Sequence, residues 1–266
     1  MSEHPAETCC PIDLTGCRIL VTNDDGVYAP GIKVLEAIAR EITDDVWVVA
    51  PETEQSATSH SLTVRRPLRL RRLEERRFSI DGTPTDCVVV ALGKVTTGRK
   101  PDLVLSGINH GGNLAEDVTY SGTVAAAMEA ALLGLPAIAL SLTRRGDHDF
   151  RWATPERHAE SVIRRIAASG FAPDMLVNVN FPDLPPERVQ GVRVCAQGRR
   201  DVETKVIDGV DPGGRPYVWI GDYMSDDTLD THSDLATVNE GYISVTPLHF
   251  DLTQRRQLER LEAAFR

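Results

Sequence analysis

The chain has 266 residues, 41% of them hydrophobic and 26% charged, with a formal net charge of −10 at neutral pH. That is the make-up of a globular protein with one large α/β domain, or a domain with an appendage. The acidic balance argues against a general nucleic-acid binder, whose phosphate contacts need a basic surface, and no apolar run approaches the roughly 18–20 residues that span a bilayer.

The opening MSEHPAETCC is acidic and has no apolar stretch. It does not read as a secretory signal, so the cytoplasm is the expected location. Residues 1–17 are expected to be a disordered leader. The five cysteines, Cys9, Cys10, Cys17, Cys87 and Cys195, include no C-x-x-C and no Cys/His cluster of zinc-binding spacing, so they read as structural or incidental thiols.

The apolar run Ile19-Leu20-Val21 predicts a buried parallel strand. It delivers Asn23, Asp24 and Asp25, then Gly26, Pro30 and Gly31, and a helical segment follows over Ile32–Arg40. A second apolar strand, Val46–Ala50, ends at Pro51. Strand, helix and strand in this order predict a parallel sheet with right-handed crossovers. The polar loop Glu52–His60 then lies at the same edge as Asp24 and Asp25, where such sheets gather their ligands.

Ser61–Val64, Pro67–Leu70 and Phe78–Asp81 are short and alternating, and predict an antiparallel excursion. Arg65, Arg66, Arg69, Arg71, Arg72, Arg76 and Arg77 make this the most basic tract; it reads first as a solvated strand face, with binding of an acidic substrate, polyphosphate or RNA as the competing reading. Gly82–Asp86 carries a polar cap and a proline in the first turn, which starts a helix over Cys87–Leu92. Leu103–Leu105 predicts a strand that ends in the loop Ser106–Asn113. Tyr120–Thr123 opens a small-residue helix, Val124–Leu133. Ala137–Leu140 is a further strand and Pro155–Ala168 an amphipathic helix.

Met175–Asn180 predicts the last strand before the character changes. Val192–Cys195, Val202–Val206 and Tyr217–Ile220 are strand-like, with a turn at Asp211–Gly214. Ser225–Asn239 reads as a polar loop, Gly241–Thr246 as a strand and Leu252–Phe265 as a terminal helix. The expected organisation is a catalytic domain over residues 18–184 and a β-rich extension over residues 185–266 that is too thin in apolar content to hold its own core. Oligomer contacts are its expected role.

Three loops, Asn23–Gly31, Glu52–His60 and Gly107–Asn113, fall on one rim if the sheet is parallel. Together they offer Asp24, Asp25, Ser56 and Asn109, an all-oxygen set that suits a hard dication such as Mg²⁺ or Mn²⁺ rather than zinc. Adjacent carboxylates repel, so the pair needs a cation, hydrogen bonds or a raised pKa. Ser121, Gly122 and Thr123 stand at a helix start, where backbone N–H groups and the dipole suit a phosphate, and Asn113 can donate to it. Taken singly, an Asp-Asp pair can be a cap, a glycine loop merely flexible, and Ser121 a plain N-cap; their convergence on one rim carries the reading. His60 and His110 read as loop or supporting residues rather than catalytic acids, and no general acid is assigned. A receiver-like phosphoacceptor module also begins with an acidic pair, but it needs an aspartate after the third parallel strand, where this chain has Asn109.

TNDDGVYAPG, the EQS…HS segment, DGTPTDC, PDLVLSGINHGGN and YSGTVAAAMEA together resemble the SurE family of survival-protein nucleotidases, with a looser likeness through NVNFPDLP, QGRR and GYISVTPLHFDLT. The resemblance implies a Rossmann-like α/β domain with a C-terminal β-extension exchanged between subunits of a homodimer or homotetramer. It implies a divalent-metal-dependent 5′(3′)-nucleotidase acting on nucleoside monophosphates, sometimes with exopolyphosphatase activity and with one Mg²⁺ or Mn²⁺ per subunit. The family's metal ligands fall on Asp24, Asp25, Ser56 and Asn109, the first two also catalytic, and its phosphate-binding positions on Asn113, Ser121, Gly122 and Thr123. One departure is Ala57-Thr58-Ser59, where the family often has a glycine after the ligand serine.

Overall fold

A computed structural model describes residues 9–203, 205–220, 224–226 and 231–266. The apolar run at Ile19 forms β1 (Ile19–Thr22), buried along its whole length. A strand with apolar side chains on both faces must be covered on both. Its neighbours β2 (Val46–Pro51) and β5 (Leu103–His110) run parallel to it on either side. The sheet extends through β6 (Ala137–Leu142) and β7 (Met175–Phe181), both parallel. On the other side β4 (Arg77–Ile80) pairs parallel with β2, and β3 (Leu70–Glu74) antiparallel with β4.

Side chains alternate across this sheet with period two. Ile19, Val21, Val48 and Leu105 face α1 (Pro30–Ile42) and α5 (Ala153–Ser169), which supply Ile32, Leu35, Ile163 and Ile166 to that core. Leu20, Val49 and Val104 face the opposite side, against α2 (Pro84–Val90) and a later helix of small residues, Gly122–Leu132. The alanines of that helix (Ala126, Ala127, Ala130) let it lie close on the sheet. Helix α2 starts as its composition predicts: Thr83 accepts from the Asp86 N–H, the Asp86 carboxylate accepts from the Thr83 N–H, and Pro84 fills the first turn.

Because β2 lies on one side of β1 and β5 on the other, the winding reverses between β1 and β5. In open α/β sheets ligands bind at the carboxyl ends of the strands flanking such a reversal. The Asp24-Asp25 pair and the end of β5 meet there.

The C-terminal part returns to this sheet. Strand β8 (Val192–Val194) is followed by β9 (Asp201–Glu203), β10 (Val206–Val210), β11 (Pro216–Ile220) and β12 (Met224–Asp226). Then β13 (Ile243–His249) pairs antiparallel with β7 and parallel with β8, which completes a nine-stranded sheet in the order β3-β4-β2-β1-β5-β6-β7-β13-β8. The extension reaches out instead: β10 and β11 form an antiparallel hairpin, closed by the Asp211–Gly214 turn, and β9 pairs with β12. Val206, Ile207, Val210, Tyr217, Val218, Trp219 and Ile220 of the hairpin are all exposed.

Several expectations are corrected. The segment Ser61–Val64 is not a strand; the excursion is β3 and β4 alone, with β3 beginning only at Leu70. The expected strand Val202–Val206 is two, β9 and β10, belonging to different pairings. Residues Asp234–Asn239 of the expected polar loop form a helix capped by the Ser233 hydroxyl, which accepts from the Ala236 N–H; residues 227–230 of that stretch lie outside the described residues. Leu235 and Val238 explain the helix, since they bury against Leu114 and Ala115. The second half of the expected leader is packed rather than loose: Cys10 pairs with Phe171 and Leu14 joins the core, while residues 1–8 lie outside the described residues. Cys17, Cys87 and Cys195 are free thiols, the first two of them buried. Among the described residues no helix is long and apolar enough to cross a membrane.

Candidate active site

Two short helices follow the end of β5: α3 (Asp117–Tyr120) and α4 (Gly122–Leu132). Ser121 is the N-cap of α4, its hydroxyl accepting from the Val124 N–H at 3.0 Å. A capping hydroxyl still has its own O–H to donate, and the N–H groups of the first turn face outward from the helix end. Asp24 lies against this first turn. The Thr123 hydroxyl donates to Asp24 Oδ1. A Cβ placed on Gly122 would stand 2.7 Å from Asp24 Cβ and 3.0 Å from its Oδ2, so only glycine admits the carboxylate so close to the helix start.

Asp24 is 4% exposed. Burial, reinforced by the neighbouring Asp25 charge, pushes its pKa up to about 6; the Thr123 hydrogen bond works the other way. Asp25 is answered by His110, whose Nδ1 pairs with Oδ1 while its backbone N–H donates to Oδ2 at 3.2 Å. That contact ties the end of β5 to the end of β1. The Asp25 carboxylate holds the His110 imidazolium above the ordinary histidine range, against the opposing effect of burial.

Strand β5 runs to His110 rather than stopping at Leu105, so Asn109 stands on a strand and not in the expected loop. The chain gets there through an irregular passage, a cis peptide at Gly107–Ile108 and a register shift against β6 between Ser106 and Asn109. The Asn109 side chain donates to Gly111 O at 2.9 Å. The loop carrying Ser56 is fastened on both sides: Gln55 N–H donates to Asp24 O at 2.7 Å, and Ser59 donates through its N–H to Tyr120 O and through its hydroxyl to Thr119 O. Ser56 itself is exposed and donates to Glu54 Oε1 at 2.7 Å. Ala57 takes φ +56°, the left-handed conformation that glycine adopts without steric cost, which accounts for the glycine common at this point of the family pattern. His60 bonds Glu129 of α4 through Nε2 at 2.7 Å, fixing the far end of the same loop.

Asn113 is buried and held from three sides. Its N–H donates to Asn180 Oδ1 at 2.8 Å, its carbonyl accepts from Asn178 and Asn180, and its side-chain amide donates to Ser141 at 2.7 Å. The structure therefore brings Asp24, Gly122 and Thr123 into direct contact, and links Asp25 to the residue after Asn109 and Asp24 to the residue before Ser56. The Asn113 backbone N–H and carbonyl and one side-chain N–H are thus engaged inside the fold, and the amide carries a second N–H donor. His110 has the supporting role its place in the sequence suggests, whereas Asn23, Ser141, Asn178 and Asn180 are what sequence reasoning missed. One signal was present: Asn178 and Asn180 alternate with Val177 and Val179 in an otherwise apolar strand, so they share a face.

For a dication the donors are apt. Among the described residues no three His, Cys, Asp or Glu side chains gather as a metal group, so a cation here would rest on two carboxylates and neutral oxygens. Asn23 adds a further buried oxygen: its amide donates to Gly26 O, and its Oδ1 has no hydrogen-bond partner among the described residues. An all-oxygen set around under-compensated negative charge suits Mg²⁺ or Mn²⁺.

Two clefts open beside this rim, and His110 and Phe150 line both. The larger, about 630 Å³, carries Asp25, Glu54 and Asp149 with Trp152. The other, about 410 Å³, carries Arg144, Arg145 and Arg200 with Gly111 and Gly112.

The family model described as Survival protein SurE matches residues 19–204. A protein of Paramagnetospirillum magneticum named 5′-nucleotidase SurE is 55% identical over 253 residues, 95% of this chain and 97% of the relative. A protein of the same name from Methylorubrum populi is 51% identical over 252 residues, 94% of this chain and 99% of the relative. The crystal structure of SurE from Aquifex aeolicus superposes with a TM-score of 0.82 at 36% identity, covering 94% of this chain and 100% of that one. Motifs, sheet order and these likenesses agree, and the chain belongs to the SurE family of survival proteins.

Proposed function

We propose that this chain is a cytoplasmic, divalent-metal-dependent nucleotidase that hydrolyses nucleoside 5′-monophosphates, and 3′-monophosphates, to nucleoside and phosphate. The observation that carries the reading is the buried Asp24 carboxylate pressed against Gly122 and Thr123 at the start of α4, with Asp25 beside it. A carboxylate pair for a cation and a helix N-terminus for an anion, side by side, are the two halves of a phosphomonoesterase site. The naming of close relatives along nearly their whole length as 5′-nucleotidases supports the substrate class.

Asp24, Asp25, Ser56 and Asn109 would hold the ion. Once bound, it supplies Lewis acidity and charge neutralisation at the phosphoryl oxygens. The chain's own residues do the rest. The Gly122 and Thr123 amides at the start of α4 and the Ser121 O–H donate to the phosphoryl group, and the Thr123 hydroxyl orients Asp24. His110 holds Asp25, and the Asn178–Asn180–Ser141 network keeps Asn113 and the glycine turn before it in place.

The competing readings find less. Four of the seven arginines of the basic tract are engaged in ion pairs: Arg66 with Asp81, Arg71 with Glu52, Arg76 with Asp45 and Arg77 with Glu36. A phosphoacceptor module lacks its aspartate, because β5 ends in Asn109 and His110. Short polyphosphate is a further substrate we propose to test. We also propose a homodimer or homotetramer built through the exposed β10–β11 hairpin, because so many apolar side chains on one thin projection call for a partner.

A phosphate-release screen over 5′- and 3′-nucleotides, sugar phosphates and polyphosphate, with Mg²⁺, Mn²⁺ or chelator, tests the reading. Metal-dependent release from nucleoside monophosphates supports it; release that chelator leaves unchanged, or none from any nucleotide, refutes it.

A further inference from the structure

We infer that the smaller, basic cleft is the seat for the nucleobase of the substrate, with Arg144 lying on Phe150 as its stacking platform. This rests on the nucleotidase reading above and adds the residues that make the enzyme choose a nucleotide over a plain phosphoester.

The two clefts divide by charge. Asp25, Glu54 and Asp149 line one and suit a cation, while Arg144 and Arg145 line the other and attract an anionic nucleotide. Charge alone would serve a polyphosphate equally well, but the walls are those of a base site. The Arg144 guanidinium sits 4.8 Å from the centroid of the Phe150 ring. Phe150 in turn meets His110 edge-on at 5.9 Å and Trp152 at 5.6 Å, so the platform is braced from behind. Arg144 is exposed, and it and Phe150 both line this cleft. Bases stack on aromatic rings and on guanidinium planes alike.

The same cleft is lined by Leu235 and Val238 of α6 (Asp234–Asn239) and by Leu114, an apolar cluster that a polyphosphate has no use for. Asn239 at the end of α6 brings an amide, a donor and an acceptor fit for a base edge. Arg200 is not available to the ligand. It forms a two-pronged pair with Asp117, at 2.9 and 2.8 Å, and so fixes the floor of the cleft. The helix α6 thus has a use that its polar sequence concealed: it closes the base site.

The test compares AMP with ribose 5-phosphate, which shares the scissile ester and sugar but has no base. In Arg144→Met and in Phe150→Leu the ratio of kcat/KM for AMP to that for ribose 5-phosphate should fall about tenfold, the weight of one stacked base. Phe150→Tyr, which keeps the ring, should keep the ratio. Adenosine binding, measured by calorimetry, should weaken by a similar factor in the first two variants. Equal losses on both substrates, or a fall in the ratio with Trp152→Leu instead, would overturn the assignment, as would parallel loss of polyphosphate turnover. Adenosine binding that weakens as stated, in a chain that releases no phosphate from AMP, refutes the hydrolase reading and leaves the base site standing. Hydrolysis of AMP with an unchanged ratio refutes the base site alone.

Discussion

The Thr123 hydroxyl donates to the buried Asp24 carboxylate, joining the first turn of α4 to the end of β1 across 99 residues of sequence. Thr123 fits the phosphate site by position, yet its side chain serves the carboxylate. Its N–H remains part of the helix start. Removing the hydroxyl should therefore act on Asp24. Thr123→Val keeps the shape and deletes a hydrogen bond to a charged group, worth about 1.5–3 kcal/mol. Phosphate release should fall by roughly tenfold to a hundredfold, and Thr123→Ser should restore most of it. If Thr123→Val turns over substrate like the parent chain, the bond has no part in the site.

Gly122 is the narrower constraint. With a Cβ there only 2.7 Å from Asp24 Cβ, Gly122→Ala must displace the carboxylate or the helix start. Overpacking of this kind costs about 1–3 kcal/mol of stability. Activity should suffer more than the melting temperature, with loss of about a hundredfold or more. Unchanged activity would mean that Asp24 is not fixed where it needs to be for chemistry.

Asp24 also predicts a pH signature for the metal-free chain. Its pKa stands at about 6 when folded, against an ordinary 3.8. The folded state thus holds the proton more tightly than the unfolded one. The resulting stability is fully present below about pH 4 and is lost as pH rises through about 6, by roughly 3 kcal/mol at 1.36 kcal/mol per unit. In chelator, the parent chain should lose stability relative to Asp24→Asn over that window. A dication should reverse this at pH 7, raising the melting temperature of the parent chain and not that of the variant. Parallel pH profiles with no metal effect would contradict the assignment.

Trp219 and Ile220 stand on β11 with their side chains exposed, as do Val206 and Ile207 on β10. Trp219→Asp should shift the assembly to a smaller species by light scattering, because a charge in a packed apolar contact is strongly unfavourable. A monomeric parent chain, or an assembly indifferent to this change, would remove the hairpin from the interface.

The sheet was legible in the sequence because its strands are short, apolar on both faces and ended by proline or polar clusters; Ile19–Val21 and Val46–Ala50 could hardly be anything else. The carboxylate pair was legible for the same reason, since only the end of a strand places Asp24 and Asp25 after such a run. The contacts that give Asp24 its character were not legible. Thr123 meets it through tertiary packing, and a residue at a helix start gives no sign of which carboxylate it will touch. The apolar run stops at Leu105, so the pattern predicts a loop at Asn109, whereas β5 passes on through Gly107 by an irregular register. The helix α6 was hidden because only Leu235 and Val238 bury outward-facing apolar surface in it, too few for a periodic signal. Strands β9 and β10 look like one strand locally because their partners, β12 and β11, are set by the fold of the extension and not by local pattern.

The most direct measurement is phosphate release from AMP by Asp24→Asn with saturating Mg²⁺ or Mn²⁺, beside the parent chain. Circular dichroism should show the fold intact, because the amide is isosteric and the Thr123 hydroxyl can still donate to its oxygen. Turnover should drop by about a thousandfold or more. A folded Asp24→Asn chain that releases phosphate at a rate near that of the parent would contradict the account at its centre.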